Sequence, residues 1–122
     1  MNKILICHPD ETIRETIKLI LCDHYDLILT DSIPQSLDCL KHAKDINTLL
    51  MSVGNSDEFN SKTVARIKKD YPKLKIVAVV DYKGAPDARE AIRQGASGYI
   101  IKPFKPDAVL SFIGTLQTYS SI

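Results

Sequence analysis

Five short apolar runs alternate with longer segments in which apolar residues recur at helical spacing. Lys3–Cys7, Asp26–Thr30, Thr48–Val53, Lys75–Val80 and Gly98–Ile101 predict strands. Lys3–Cys7 is a run of Ile and Leu with no polar alternation, which reads as a strand buried on both faces. Lys75–Val80 is the most β-branched of the set. Asp10–Cys22 carries Ile13, Ile17, Ile20 and Leu21 on one side and Arg14, Glu15 and Lys18 on the other, the layout of an amphipathic helix. Asp10 suits its N-cap, and Glu11 adds favourable charge in the first turn. Pro34–Ala43 predicts a second helix, with Pro34 in its first turn and Leu37, Leu40 and Ala43 facing inward. Gly54–Asn60 is a polar loop. Ser61 is expected to cap a helix over Lys62–Tyr71, with Val64, Ile67 and Lys68 at helical spacing and Pro72 stopping it. Gly84-Ala85-Pro86 turns into a helix over Pro86–Gln94, and Gly95 suits the left-handed position just past its end. A last helix runs from Pro106 to about Thr115, with Val109, Leu110, Phe112 and Ile113 as its apolar face.

This alternation predicts an α/β fold, (βα)5, with a doubly wound five-stranded parallel sheet covered by helices on both faces. In such sheets the functional crevice lies beyond the carboxyl ends of the strands, where strand order reverses. Cys7–Asp10, Met51–Gly54, Val80–Lys83 and Ile101–Lys102 should therefore border one crevice.

Composition narrows the function classes. The 122 residues suit one domain over residues 1–122, with 44% hydrophobic and 25% charged residues and no repeats or linkers. A net charge of +1 gives no reason to expect nucleic-acid or membrane binding. No apolar run approaches the roughly 18 residues of a membrane span. The N-terminus lacks a signal-peptide layout, so a cytoplasmic location is expected. Cys7, Cys22 and Cys39 are odd in number and widely spaced, with no zinc or disulfide pattern. They are expected to be reduced, partly buried thiols.

The closing third, Glu90-Ala91-Ile92-Arg93-Gln94-Gly95-Ala96 followed by Tyr99 and Lys102-Pro103-Phe104, resembles the receiver domains of two-component response regulators, the CheY-like family with a flavodoxin-like fold. Lys3–Cys7 is similar to the opening strand of that family, and Thr12-Ile13-Arg14 to the start of its first helix. The resemblance covers nearly the whole chain. It implies a role in two-component signal transduction or a phosphorelay, with two acidic residues after the first strand and a phosphoacceptor aspartate after the third. Together these hold Mg²⁺, which neutralises the incoming phosphoryl oxygens. A Ser or Thr after the fourth strand and a lysine after the fifth bind the phosphoryl group.

At those positions this chain departs from the family. The acidic pair falls on His8 and Pro9, with Asp10 one step late. The phosphoacceptor falls on Ser52, or on Met51 if the register slips by one. The hydroxyl falls on Val80, followed by Asp81. Lys102 alone matches. The resemblance also implies a cis Lys102-Pro103 peptide. A buried unpaired ammonium is costly, so Lys102 should pair with Asp10 or Asp81, or sit in water. Cys7, His8 and Asp10 could be read as a transition-metal site, but neighbours on a strand end point in different directions, and His24 and His42 lie elsewhere. No metal and no cofactor is expected. Cys7 could instead be a redox sensor with a thiol pKa lowered by Lys102, or a small hydrophobe ending a core strand.

These positions predict an atypical pseudo-receiver that lacks the phosphoacceptor aspartate. It would be independent of phosphorylation, act through protein–protein interaction and have no catalysis of its own. The partner would be a signalling protein: a histidine kinase, an output domain or another regulator. The resemblance places the partner surface on the fourth helix, fifth strand and fifth helix, here Arg89, Arg93, Tyr99 and Lys105, a surface that also serves homodimers. The acidic pair that one receiver subfamily uses for its dimer is replaced by Ser97 and Gly98. Two alternatives stay open. One is phosphorylation at a rearranged acceptor, Asp81 or Asp10. The other is a small-ligand module in which Lys102 and backbone amides hold an anion in the same crevice.

Overall fold

β1 (Lys3–Cys7) and β3 (Ile46–Ser52) lie side by side at the middle of a parallel sheet ordered β2-β1-β3-β4-β5. The other strands are β2 (Asp26–Thr30), β4 (Lys75–Val80) and β5 (Gly98–Ile101). They alternate with α1 (Glu11–Leu21), α2 (Ile33–His42), α3 (Ser61–Asp70), α4 (Ala85–Arg93) and α5 (Pro106–Thr118). The computed structural model describes residues 2–118, so Met1 and residues 119–122 of the expected single domain lie outside the described residues. Every strand pair is parallel, as the helical crossovers require. Strand order reverses between β1 and β3, which sets the crevice at their carboxyl ends.

Side-chain alternation divides the core. Ile4, Ile6, Leu50, Val77, Val79 and Ile100 pack on one face against Ile17 and Leu21 of α1 and Val109 and Ile113 of α5. Leu5, Cys7, Leu49, Met51, Ile76, Ala78 and Val80 pack on the other against residues of α2, α3 and α4, including Leu40, Ile67 and Ala91. Both faces being covered is why the strands read as unbroken apolar runs. Each fully buried Leu or Ile contributes about 1.5–3 kcal/mol.

The structure moves several expected boundaries, each for a local reason. β3 begins at Ile46 rather than Thr48 and ends at Ser52. Lys3 pairs with Ile46 but Ile4 pairs with Thr48, so Asn47 is an extra residue that interrupts the ladder. α2 begins at Ile33 because Ser32 is its N-cap, its side chain accepting from the Gln35 N–H. α3 is capped by Asn60 rather than Ser61: Asn60 Oδ1 accepts from the Thr63 N–H at 3.1 Å. α4 starts at Ala85. α5 runs on to Thr118, where Gln117 bonds Asn2, Asn47 and Thr48 at the lower edge of the sheet. Those polar anchors carry no periodic signal, so the apolar pattern stops short of the real end.

Gly95 and Gly98 are constrained for different reasons. Gly95 has φ +119 and ends α4, with the Ala96 N–H bonding the Ala91 carbonyl and the Gly95 N–H bonding that of Ile92. At Gly98 an added Cβ would collide with the ring of Phe112, so its absence lets α5 close on β5.

Candidate functional site: the crevice at the strand ends

The alternation that divides the core also decides what faces the crevice. Ile4 and Ile6 point towards α1 and α5, so His8 continues that face. By the same count Ser52 follows Leu50, Asp81 follows Val79, and Lys102 follows Ile100. Cys7 is opposite Met51, which puts His8 and Ser52 at one level on adjacent strands. Val80 is opposite Ile101, and the Lys102 N–H bonds the Val80 carbonyl at 3.1 Å. Lys102 thus starts higher than Ser52, whose register partner is Val79.

His8 is 4% exposed. Its Nδ1 accepts from the Asp10 N–H at 3.0 Å, and its carbonyl accepts from the Arg14 guanidinium at 2.7 Å. Burial, then the nearby charges of Lys102 and Arg14, lower its pKa to about 4, against an opposing pull from Asp10. The ring is therefore neutral at neutral pH. An acceptor Nδ1 puts its proton on Nε2.

The remaining positions are differently employed. Pro9 is exposed and offers no side-chain ligand. Asp10 Oδ1 accepts from the N–H groups of Thr12 and Ile13 at 2.8 and 3.3 Å, so this carboxylate caps α1. Ser52 is half-buried, and its hydroxyl has no hydrogen-bond partner among the described residues. Val80 is buried in the α2–α4 side of the core. Asp81 is exposed and accepts from the Tyr82 N–H at 3.1 Å. Lys102 is half-buried and forms no ion pair among the described residues. Of the alternatives expected from sequence, the pairing with Asp10 or Asp81 is not made, since Asp10 caps α1 and Asp81 accepts within its own turn, and the half-buried side chain keeps the alternative of solvent. The Lys102–Pro103 peptide is cis.

These residues do not fit Mg²⁺. The ion prefers hard oxygen ligands in octahedral array. The strand ends offer an imidazole, a proline and a neutral hydroxyl, the Asp10 carboxylate is committed to backbone amides, and of the loop acids Asp57 and Glu58 that wall the hollow beside Ser52, Glu58 is held by the Ile33 N–H. Among the described residues, no group of three or more His, Cys, Asp or Glu side chains is placed to hold a metal ion.

The redox reading of Cys7 is not supported. Its side chain belongs to the opposite face from Lys102, it donates to the Ser32 carbonyl at 3.4 Å, and burial raises its pKa. Cys39 is half-buried, but Cys22 is exposed rather than partly buried.

The polar loop holds a residue that the sequence reading missed. Glu58 Oε1 accepts from the Ile33 N–H at 2.6 Å, tying the β3–α3 loop to the start of α2. The loop then walls a hollow of about 450 Å³ beside Pro9 and Ser52. Nothing in local sequence links Glu58 to a helix start 25 residues away.

Around β5, Arg89, Arg93, Tyr99 and Lys105 are all exposed, and Arg93 pairs with Glu90 at 3.2 Å. Ile92, Tyr99 and Ile101 are 45%, 46% and 37% exposed. Beside them a groove of about 380 Å³ is lined by residues such as Tyr99, Ile101, Pro103 and Phe112. Ile92 and Ile101 were not singled out from sequence. Ile101 is exposed where β5 lies at the sheet edge, and Ile92 is exposed on α4.

A family model described as the response regulator receiver domain matches residues 4–113. Response regulator protein FleR of Pseudomonas aeruginosa is 28% identical over 113 residues, which is 91% of this chain and 24% of that protein. A chemotaxis protein CheY homolog of Campylobacter jejuni is 27% identical over 112 residues, 88% of this chain and 85% of that one. The chain thus spans about a quarter of the former and most of the latter. Among solved structures, a CheY-like response regulator receiver domain protein from Methanospirillum hungatei superposes with a TM-score of 0.87 at 22% identity, covering 99% of this chain and 97% of that one. NtrX from Brucella abortus, in complex with ADP, gives 0.89 at 23% identity over 98% of this chain and 27% of that chain. At these identities the structural likeness establishes the fold.

Proposed function

Because this chain belongs to the response regulator receiver domain family, we propose that it is a phosphorylation-independent receiver, acting through protein–protein interaction and not through chemistry of its own. The observation that carries the reading is the fate of the carboxylates. His8, Pro9 and Ser52 stand at the acidic positions, and Asp10 is spent capping α1. A phosphoryl transfer of this type depends on a metal held by carboxylates to offset charge on the transferring oxygens. Lys102 then serves the geometry of the β5 end.

Function moves to the surface of α4, β5 and α5. Exposed Tyr99 and Ile101 border a groove that Lys105 also lines, and Ile92, Arg89 and Arg93 are exposed on α4. An apolar centre with a charged rim is the anatomy of a protein interface. The partner classes are a histidine kinase, an output domain or another regulator, and a second copy of the chain would use the same face. A cytoplasmic location belongs to this reading; among the described residues no helix is long and apolar enough to cross a membrane.

Mg²⁺ titration by calorimetry tests it. The protein should show no saturable uptake, whereas a triple variant, His8→Asp with Pro9→Asp and Ser52→Asp, should gain a site of about millimolar affinity or better. Saturable binding by the unaltered chain, abolished by Asp10→Asn or Asp81→Asn, would favour the rearranged acceptor instead.

A further inference from the structure

The amino ends of the strands, opposite the crevice, hold a cavity of their own. β3 starts at Ile46, but its first residue paired with β4 is Thr48, opposite Lys75. Ile46 and Asn47 therefore overhang the start of β4. α2 ends nearby at His42 and α3 at Asp70, and a turn in which the Leu74 N–H bonds the Tyr71 carbonyl leads into β4. Between these segments lies a cavity of about 500 Å³, walled in part by Leu40, Ala43, Ile46, Tyr71, Pro72 and Leu74. Leu40, Ile46 and Leu74 are buried core residues, and Ala43 and Tyr71 pack against the same core. The floor is thus apolar, and the size is that of a small-molecule site.

The charged residues on the wall are Lys44, Lys73 and Asp70, all exposed. Neither ammonium has an ion-pair or hydrogen-bond partner among the described residues. Two further acids of this region are engaged elsewhere, Asp45 with Lys3 at 3.1 Å and Asp38 with His42 at 3.5 Å. Lys41 and Lys69, in the last turns of α2 and α3, offset the partial negative charge of those helix ends. The hydroxyl of half-buried Tyr71 also has no partner among the described residues. An apolar floor under a mainly cationic rim selects a molecule with an apolar body and a carboxylate, since charge-assisted hydrogen bonds to lysine are the stronger kind. A bare anion would leave the floor unused, and a neutral hydrocarbon would leave the lysines unused.

We propose that this cavity binds a small amphipathic carboxylic acid, its apolar body against Leu40, Ile46 and Leu74 and its carboxylate at the Lys44 and Lys73 ammonium groups. Binding is non-covalent. The occupant braces the ends of α2 and α3 against the start of β3, the strand whose other end carries Ser52. Such a ligand would give a receiver an input that needs no phosphoryl group. The site itself does not depend on that reading, nor on the interaction surface at α4, β5 and α5, and each can fail alone.

The test is amide NMR of the full chain titrated with three probes at constant ionic strength: indole-3-acetate, 3-methylindole, which lacks the carboxylate, and acetate, which lacks the ring. Indole-3-acetate should give saturable shifts centred on residues 43–47 and 70–74, with affinity of about millimolar order or better. 3-Methylindole should bind there about tenfold more weakly, and acetate should not saturate. Lys44→Met with Lys73→Met keeps both apolar stems and should remove the preference for the acid while leaving 3-methylindole unchanged. Each single variant should remove part of it, which keeps the test usable if the double variant disturbs the fold. Lys18→Met, on α1 across the sheet, should change nothing. Shifts from indole-3-acetate that never saturate, that centre on other residues, that 3-methylindole matches in affinity, or that survive the double variant undiminished would overturn the proposal. Broadening of the same amides on concentrating the protein without a probe would also overturn it, by showing that a second copy of the chain covers the cavity.

Discussion

Burying an imidazole beside the Lys102 ammonium and the Arg14 guanidinium is costly mainly when the ring is charged. His8 therefore keeps a pKa of about 4 in the fold, against 6.5 for the free side chain. Above 6.5 the ring is neutral in folded and unfolded chains alike and has no effect on stability. As pH falls from 6.5 towards 4, the unfolded chain takes up a proton that the folded one refuses, so stability is lost across that window. The loss should amount to roughly 3 kcal/mol. Urea unfolding across this range should show the decline, and His8→Gln should flatten most of it. An unchanged slope in His8→Gln would place the acid sensitivity elsewhere. The proposed departure of His8, Pro9 and Ser52 from the family pattern is read from the sequence, since it rests on where the strands end. The use made of Asp10 is not. Sequence supports it both as an N-cap and as a partner for Lys102, and one carboxylate cannot serve both. The orphan amides of Thr12 and Ile13 are adjacent in the chain and capture it first.

For the elements, termini matter more than interiors. The apolar periods locate every helix and strand, but Ser32 and Asn60 fix where α2 and α3 begin through side-chain caps that compete with their neighbours. Serine and asparagine cap about equally well, so composition alone cannot choose between Asn60 and Ser61. Gly95 is the opposite case, because its role is readable from sequence and sharply constrained. With φ +119, a side chain there is strained, and its Cβ would also lie 3.0 Å from Cγ of Lys68. Gly95→Ala should destabilise the domain by about 1–2 kcal/mol. Hydrogen exchange should locate the loss at the last turn of α4, where the Ala96 N–H bonds the Ala91 carbonyl. Uniform loosening without a focus on α4 would contradict this account of the turn.

At the scale of the whole molecule, the topology was accessible because a βα alternation with strands buried on both faces has few solutions. Which surfaces are left open was less so. Ile92 and Ile101 lie within ordinary apolar patterns, yet Ile92 is exposed on α4 and Ile101 on the edge strand β5. The Glu58–Ile33 bond likewise joins segments whose proximity appears only in the folded chain. On the reading proposed above, the molecule keeps the receiver scaffold and its open face while the carboxylates of the crevice are replaced or diverted. The most direct test of that account is intact-mass measurement after incubation with a small-molecule phosphodonor and Mg²⁺, run beside an active receiver as control. The account predicts that the control gains a phosphoryl adduct and this chain gains none. A single stoichiometric phosphoryl adduct on this chain, lost in Asp10→Asn or Asp81→Asn, would contradict it.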